Sequence, residues 1–167
     1  ALAMLGYDAR AREEAQRAVE LASGVPREER LVLQARLEAF DQHWGRASEI
    51  YRSLWTFYPD DLEYGLQLVQ SLTRAGRPAE AREAVAALSR LPPPQGEDPR
   101  IDLLDARVAL QLSDWAAQLP VCEAALSKGR RLGETLIVAQ ALVCKGHALL
   151  GSQGQADGDS GWSGISA

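Results

Sequence analysis

The sequence predicts an all-α protein built by repetition. Ala, Leu, Arg and Glu crowd the first 150 positions and asparagine does not occur at all, a composition that favours helix. Val, Ile and Thr never alternate with polar residues in the period-two runs that mark a half-buried strand. One amphipathic stretch, 44–61 (WGRASEIYRSLWTFYPDD), returns 34 residues later: Ala47 becomes Ala81, Tyr51 becomes Val85, Leu54 becomes Leu88, Pro59 becomes Pro93, and Trp44 becomes Pro78. A fixed period of that size marks stacked units, because one helix pair cannot bury its own apolar face.

Within the stretch, Ala47, Ile50, Tyr51, Leu54 and Phe57 recur at spacings of three and four, and Tyr58-Pro59 stops the helix. A period of 34 with a small residue, a large apolar residue three or four later and a closing proline resembles the tetratricopeptide repeat. The resemblance covers about 1–150, clearly around Ala47 and Ala81 and more weakly around Ala11 and Gln118. It implies a right-handed α-solenoid of antiparallel helix pairs, about eight helices in about three and a half pairs, whose work is binding. The wording LEYGL, LPPP and DPRIDL further resembles repeat regions attached to bacterial signalling proteins such as kinases, nucleotide cyclases or winged-helix regulators.

Each element has its own local reason. Residues 1–6 (ALAMLG) read as the last turn of a helix, and Gly6 falls where Gly76 falls, so the sequence is expected to be a fragment that starts in mid-repeat. Ala11, Ala15, Ala18 and Leu21 form the stripe of a helix over about 8–22, ended by Gly24-Val25-Pro26. A leading helix follows over 27–40, with Leu31 and Ala35 in place and Glu38 where the repeat wants an aromatic residue. Helix 44–58 completes that pair. Asp60-Asp61 supply a cap and a first-turn acid for a helix to about Ala75, which turns Leu62, Leu66, Val69 and Leu72 inward. Gly76-Arg77-Pro78 stops it and opens a helix over 78–90.

The run 91–99 (LPPPQGEDP) is expected to be stiff and extended, since three successive prolines cannot be helical, and it lengthens the interval from Ala81 to Gln118 to 37 residues. Helices resume over 99–112 and 115–128; there Trp115 repeats the place of Trp44, and Pro120 should kink or delay the helix. The last helix spans about 133–150 and carries Leu136, Ala139, Leu142, Val143, Gly146 and Leu149. Residues 151–167, rich in Gly, Ser and Asp, read as a disordered tail or a remnant of truncation or cloning, following one repeat domain over 1–150.

The chain is 167 residues long and 46% apolar, enough for a sizeable core. Its net charge of -5 leaves no broad basic face, so nucleic acid is not expected as a partner. No apolar run approaches the roughly 20 residues of a membrane span, and the first residues lack the charged-then-apolar order of a signal peptide. A cytoplasmic setting follows. Cys122 and Cys144 lack CxxC spacing; they are expected as buried, unreactive thiols, though consecutive antiparallel helices could bring them together. No GxSxG, HExxH, Walker or GxGxxG pattern occurs, so no enzyme, cofactor or metal site is predicted. The acid pairs Glu13-Glu14, Glu28-Glu29, Asp60-Asp61 and Glu97-Asp98 sit where acids stabilise helix starts. Trp44, Tyr51, Trp55, Phe57, Tyr58 and Tyr64 are expected to pack between helix pairs, Trp55 being the more exposed.

In solenoids of the family resembled, the leading helices line a concave groove. Carried over position by position, that groove comprises Glu29, Val32, Arg36, Glu63, Leu66, Gln70, Arg74, Arg100, Leu103, Arg107 and His147, while His43 lies in a solvated turn. The implied partner is a protein or peptide, with an acidic segment or C-terminal carboxylate meeting the arginines. Equally open is that these arginines pair with Glu29, Glu63, Asp102 and Asp105 as solvated helix charges. A regulatory or sensory segment of a larger signalling enzyme or transcription regulator is the alternative function. Uncapped ends, bearing Leu2, Met4, Leu5, Ala15 and Val19 on one side and Leu142, Leu149 and Leu150 on the other, predict self-association.

Overall fold

The computed structural model describes residues 8–21 and 24–161. Every regular element in them is helical: α1 (Asp8–Leu21), α2 (Arg27–Phe40), α3 (Trp44–Phe57), α4 (Leu62–Arg74), α5 (Pro78–Leu88), α6 (Pro99–Gln111), α7 (Trp115–Leu132) and α8 (Thr135–Gly161). Two compact units divide the chain, Ala1–Ala84 and Val85–Ala167, and the boundary falls inside α5. Leu2, Met4 and Leu5, and the side chains of Ala15 and Val19, lie outside the described residues.

In the first unit α1 packs on α2, α2 on α3 and α3 on α4. The helix starts are set by capping: Asp61 accepts from the backbone N–H of Tyr64 at 3.0 Å, which satisfies one of the free donors of the first turn of α4. Gly76, at φ +71°, ends α4 in a left-handed conformation before Pro78 opens α5. On α3 the buried residues are Ala47, Ser48, Tyr51 and Leu54. Phe57, expected in that stripe, is 71% exposed, because it stands on the flank of the stripe in the last turn. Around α4 the core closes with Leu54, Leu68, Val69 and Leu72, all almost fully buried, each worth about 1.5–3 kcal/mol against exposure.

In the second unit α6 packs on α7 and α7 on α8. The run of prolines is not extended throughout: Pro94 is in the right-handed helical region and Gln95–Glu97 form a 3₁₀ turn. The turn folds back so closely that a Cβ on Gly96 would strike the carbonyl oxygen of Leu91. Asp98 and Asp114 cap α6 and α7, accepting from the N–H groups of Arg100 and Ala117 at 2.8 and 3.1 Å. The second cap starts α7 at Trp115, so Pro120 does not delay it and α7 continues through the proline. Gly133, at φ +72°, ends α7 and turns the chain into α8.

The residue pairs between α7 and α8 step back from that turn as in a hairpin: Gly129 against Ile137, Glu123 with Lys145, Cys122 with Cys144. The two cysteines, expected as free thiols, are joined in a disulfide with Cα atoms 5.8 Å apart, inside the usual span for the bond. The face that α8 buries is Ile137, Ala141 and Ala148, while Leu136, Leu142, Val143 and Leu149 stay exposed. The helix is apolar nearly all round, so its leucines do not mark the inner face. Small residues lie inward, where α7 approaches closely. A Cβ on Gly129 would come within 2.8 Å of Ile137 Cγ2.

Expected to end near Leu150, α8 continues to Gly161, into the stretch read as a tail. Gly151 sits against the indole of Trp115, which occupies the space of a missing Cβ. Contrary to the reading of apolar runs, Thr135–Gln153 is long and apolar enough to cross a membrane by length and composition alone.

Candidate binding surfaces

Three of the seven positions predicted to line a groove in the first unit, Arg36, Gln70 and Arg74, lie around Trp44. Trp44 opens α3 and Arg74 closes α4, so two helices that run back along each other bring the two together. The Arg74 guanidinium lies over the indole, 4.8 Å from its centroid, a cation–π contact. Beside it, Arg36, Phe40, Trp44, Tyr51, Gln67 and Gln70 line a pocket of about 200 Å³. Burial pushes the Tyr51 phenol up, and the Arg36 guanidinium pulls it the other way. Among the described residues neither Arg36 nor Arg74 forms an ion pair.

The other predicted positions of this unit take no part. Leu66 is 5% exposed and belongs to the core. Glu29, Val32 and Glu63 line neither this pocket nor the cleft of the second unit.

Sequence reasoning missed one junction here. Glu28, taken as a helix-start acid, accepts a 2.7 Å hydrogen bond from the Tyr64 hydroxyl. The bonds from Tyr64 and then Tyr58 hold the Glu28 carboxyl below its ordinary range, and the same carboxylate pushes both phenols up. Tyr58 and Tyr64 stand with ring centroids 6.0 Å apart. The available signal is positional: Glu28 and Tyr64 occupy the first turns of α2 and α4. Arg77 joins Glu80 on α5 to Glu49 on α3, and Arg52 also reaches Glu80 at 2.6 Å. Arg77 holds the Glu80 carboxyl low. Such partly exposed pairs fix geometry more than they add stability.

Three of the four positions predicted to line a groove in the second unit, Leu103, Arg107 and His147, line a cleft of about 470 Å³. Leu103 and Arg107 of α6, Gln118 of α7, and Val143, Cys144 and His147 of α8 face it. Among the described residues no carboxylate lines it and Arg107 forms no ion pair. Arg100 is held elsewhere, with Nε and Nη2 at 3.0 and 2.9 Å from the Asp98 carboxylate. Burial works to raise Asp98, but the Arg100 guanidinium and backbone N–H outweigh it and hold the carboxyl low. Asp102 pairs with Lys128 at 2.7 Å rather than with an arginine; burial still pushes its carboxyl up. Gln118 is 2% exposed, and its Oε1 has no hydrogen-bond partner. A buried acceptor left unmatched costs about 1–3 kcal/mol.

Among the described residues no three His, Cys, Asp or Glu side chains converge on a point that could hold a metal ion. Comparison with protein-family models, curated proteins and solved structures gives no match to this chain.

Proposed function

We propose that this chain is a protein-interaction module, a right-handed stack of antiparallel helix pairs, and that its first unit binds an acidic peptide segment on the Trp44 surface. One observation carries the reading: Arg36 and Arg74, from different helices, flank one indole and pocket, and among the described residues neither forms an ion pair with a carboxylate. Guanidinium forks match carboxylates in geometry, whether these are side chains or a chain end. Apolar docking through Leu66 is disfavoured by its burial. The exposure of Leu142, Leu149 and Leu150 supports including self-association through the last helix in the proposal.

Cytoplasmic residence belongs to the same proposal, and the Cys122–Cys144 bond is the observation that pulls against it, since cytosolic thiols are kept reduced. A sensory segment of a larger signalling protein is the second reading, favoured by the apolar cleft of the second unit.

Fluorescence anisotropy of a labelled peptide of alternating glutamate and leucine tests the main reading. Binding is expected to fall steeply with salt, because exposed charges are screened within about 8 Å at physiological ionic strength. Arg36→Ala should cost about 1.5–3 kcal/mol, the range for a hydrogen bond to a charged group, and Arg36→Glu should abolish binding. Affinity indifferent to both salt and Arg36→Glu would overturn the proposal.

A further inference from the structure

The repeat register singles out one position. Ala47, Ala81 and Gln118 are equivalent along the sequence, and all three are buried, at 0%, 0% and 2% exposure. Twice the position takes the smallest side chain that keeps helices close. The third time it takes a long amide, buried with its Oε1 unmatched. Buried polar atoms in native folds nearly always have a partner, so an orphan calls for one from outside the fold. Gln118 also lines the cleft between α6, α7 and α8. Its apolar walls include Leu103, Leu110 and Val143, and among the described residues that line it Arg107 alone carries a permanent charge. The volume of about 470 Å³ lies within the roughly 300–1,000 Å³ of small-molecule sites, which combine apolar walls with a few polar anchors.

We infer that this cleft is a small-molecule site for an amphipathic acid: an apolar body against the α6 and α8 walls, an N–H donor to Gln118 Oε1, and a carboxylate at Arg107. N-acylated amino acids have this chemistry. The apolar body supplies the driving force by leaving water. The amide gives the orphan acceptor its donor, and the guanidinium is the one fixed charge to which the acid end can bind. This site does not depend on peptide binding by the first unit.

The test uses the whole chain and N-octanoylglycine, followed by isothermal titration calorimetry. Saturable binding at one site is expected, weaker by about tenfold or more for octanoate, which lacks the amide, and for octanoyl ethanolamide, which lacks the acid. Arg107→Gln and Gln118→Met should each weaken binding by about tenfold. Gln118→Met should leave the melting temperature unchanged or raised, because it removes an unmatched acceptor, whereas a purely structural glutamine would lower it. Arg36→Glu should leave N-octanoylglycine binding intact. No saturable binding, or equal binding by parent, Arg107→Gln and Gln118→Met, overturns the inference; so does a peptide ending in leucine that binds as tightly as N-octanoylglycine, which would assign the cleft to chain ends.

Discussion

The two units hold their helices together by different means. The first closes on large aliphatic side chains, Leu54, Leu68, Val69 and Leu72, and ties its helices across with polar groups, Glu28 to Tyr64 and Arg77 to Glu49 and Glu80. The second packs α7 and α8 through small residues, Ala125, Gly129, Ala141 and Ala148, and adds a covalent bond. Large side chains fill the space between α3 and α4 and leave a pocket of about 200 Å³ beside Trp44, with further hollows of about 290 Å³ where α2 meets the end of α3 and about 580 Å³ along α1. Small ones let backbones approach but leave the flanks unfilled, and the second unit keeps a cleft of about 470 Å³. The contrast teaches that close helix approach and complete filling are separate achievements of a core.

The largest effect expected from breaking this contrast is in the first unit. Leu72→Ala, at a position with 0% exposure, should cost about 2–5 kcal/mol, because lost transfer energy and a residual cavity add. Urea unfolding followed by far-UV circular dichroism checks it, and a cost below about 0.5 kcal/mol would show that the leucine core is not what holds this unit.

Next comes the bond between α7 and α8. With its ends 22 positions apart in the sequence, Cys144→Ser should cost about 3 kcal/mol by freeing the unfolded chain. Hydrogen exchange should show the loss in α7 and α8 and spare α2 to α4. Equal loss in both units would erase the distinction.

The smallest effect concerns acid. Glu28 and Glu80 have folded-state values below their ordinary 4.5, so their contribution is present above that pH and is lost as pH falls through the depressed values. Asp102 runs the other way: its raised carboxyl takes up a proton earlier when folded, so acid favours the fold there. Glu28→Gln should therefore flatten the acid limb of the first unit's stability profile and leave that of the second unchanged, as measured by hydrogen exchange between pH 3 and 6, roughly the range in which carboxylates titrate.

How much of this could be read from the sequence depended on whether the deciding contact was local. Helix starts were legible because a cap acts within three residues: Asp61 is an example. Asp114 also lies within that reach, and α7 starts at Trp115 as expected despite Pro120. The α8 face was illegible because leucine, valine and alanine surround that helix, and hydrophobicity alone cannot choose the side that a neighbour will approach. The disulfide depends on where two helices cross, which spacing along the chain does not reveal. Leu103, Arg107 and His147, expected on one face from the sequence, line the same cleft. Gln118 was visible only as an imperfect match to alanine; its burial gave that mismatch a meaning.

One consequence of the Cys122–Cys144 bond is topological. The bond closes a ring that contains the end of α7, the Gly133 turn and the start of α8. A protease that cuts the Gly133–Glu134 turn, where both residues are exposed, opens the ring but releases nothing. The nicked chain keeps its mass on a non-reducing gel and falls into two fragments only once the sulfur bridge is reduced, so the hairpin carries its own record of whether its environment is oxidising.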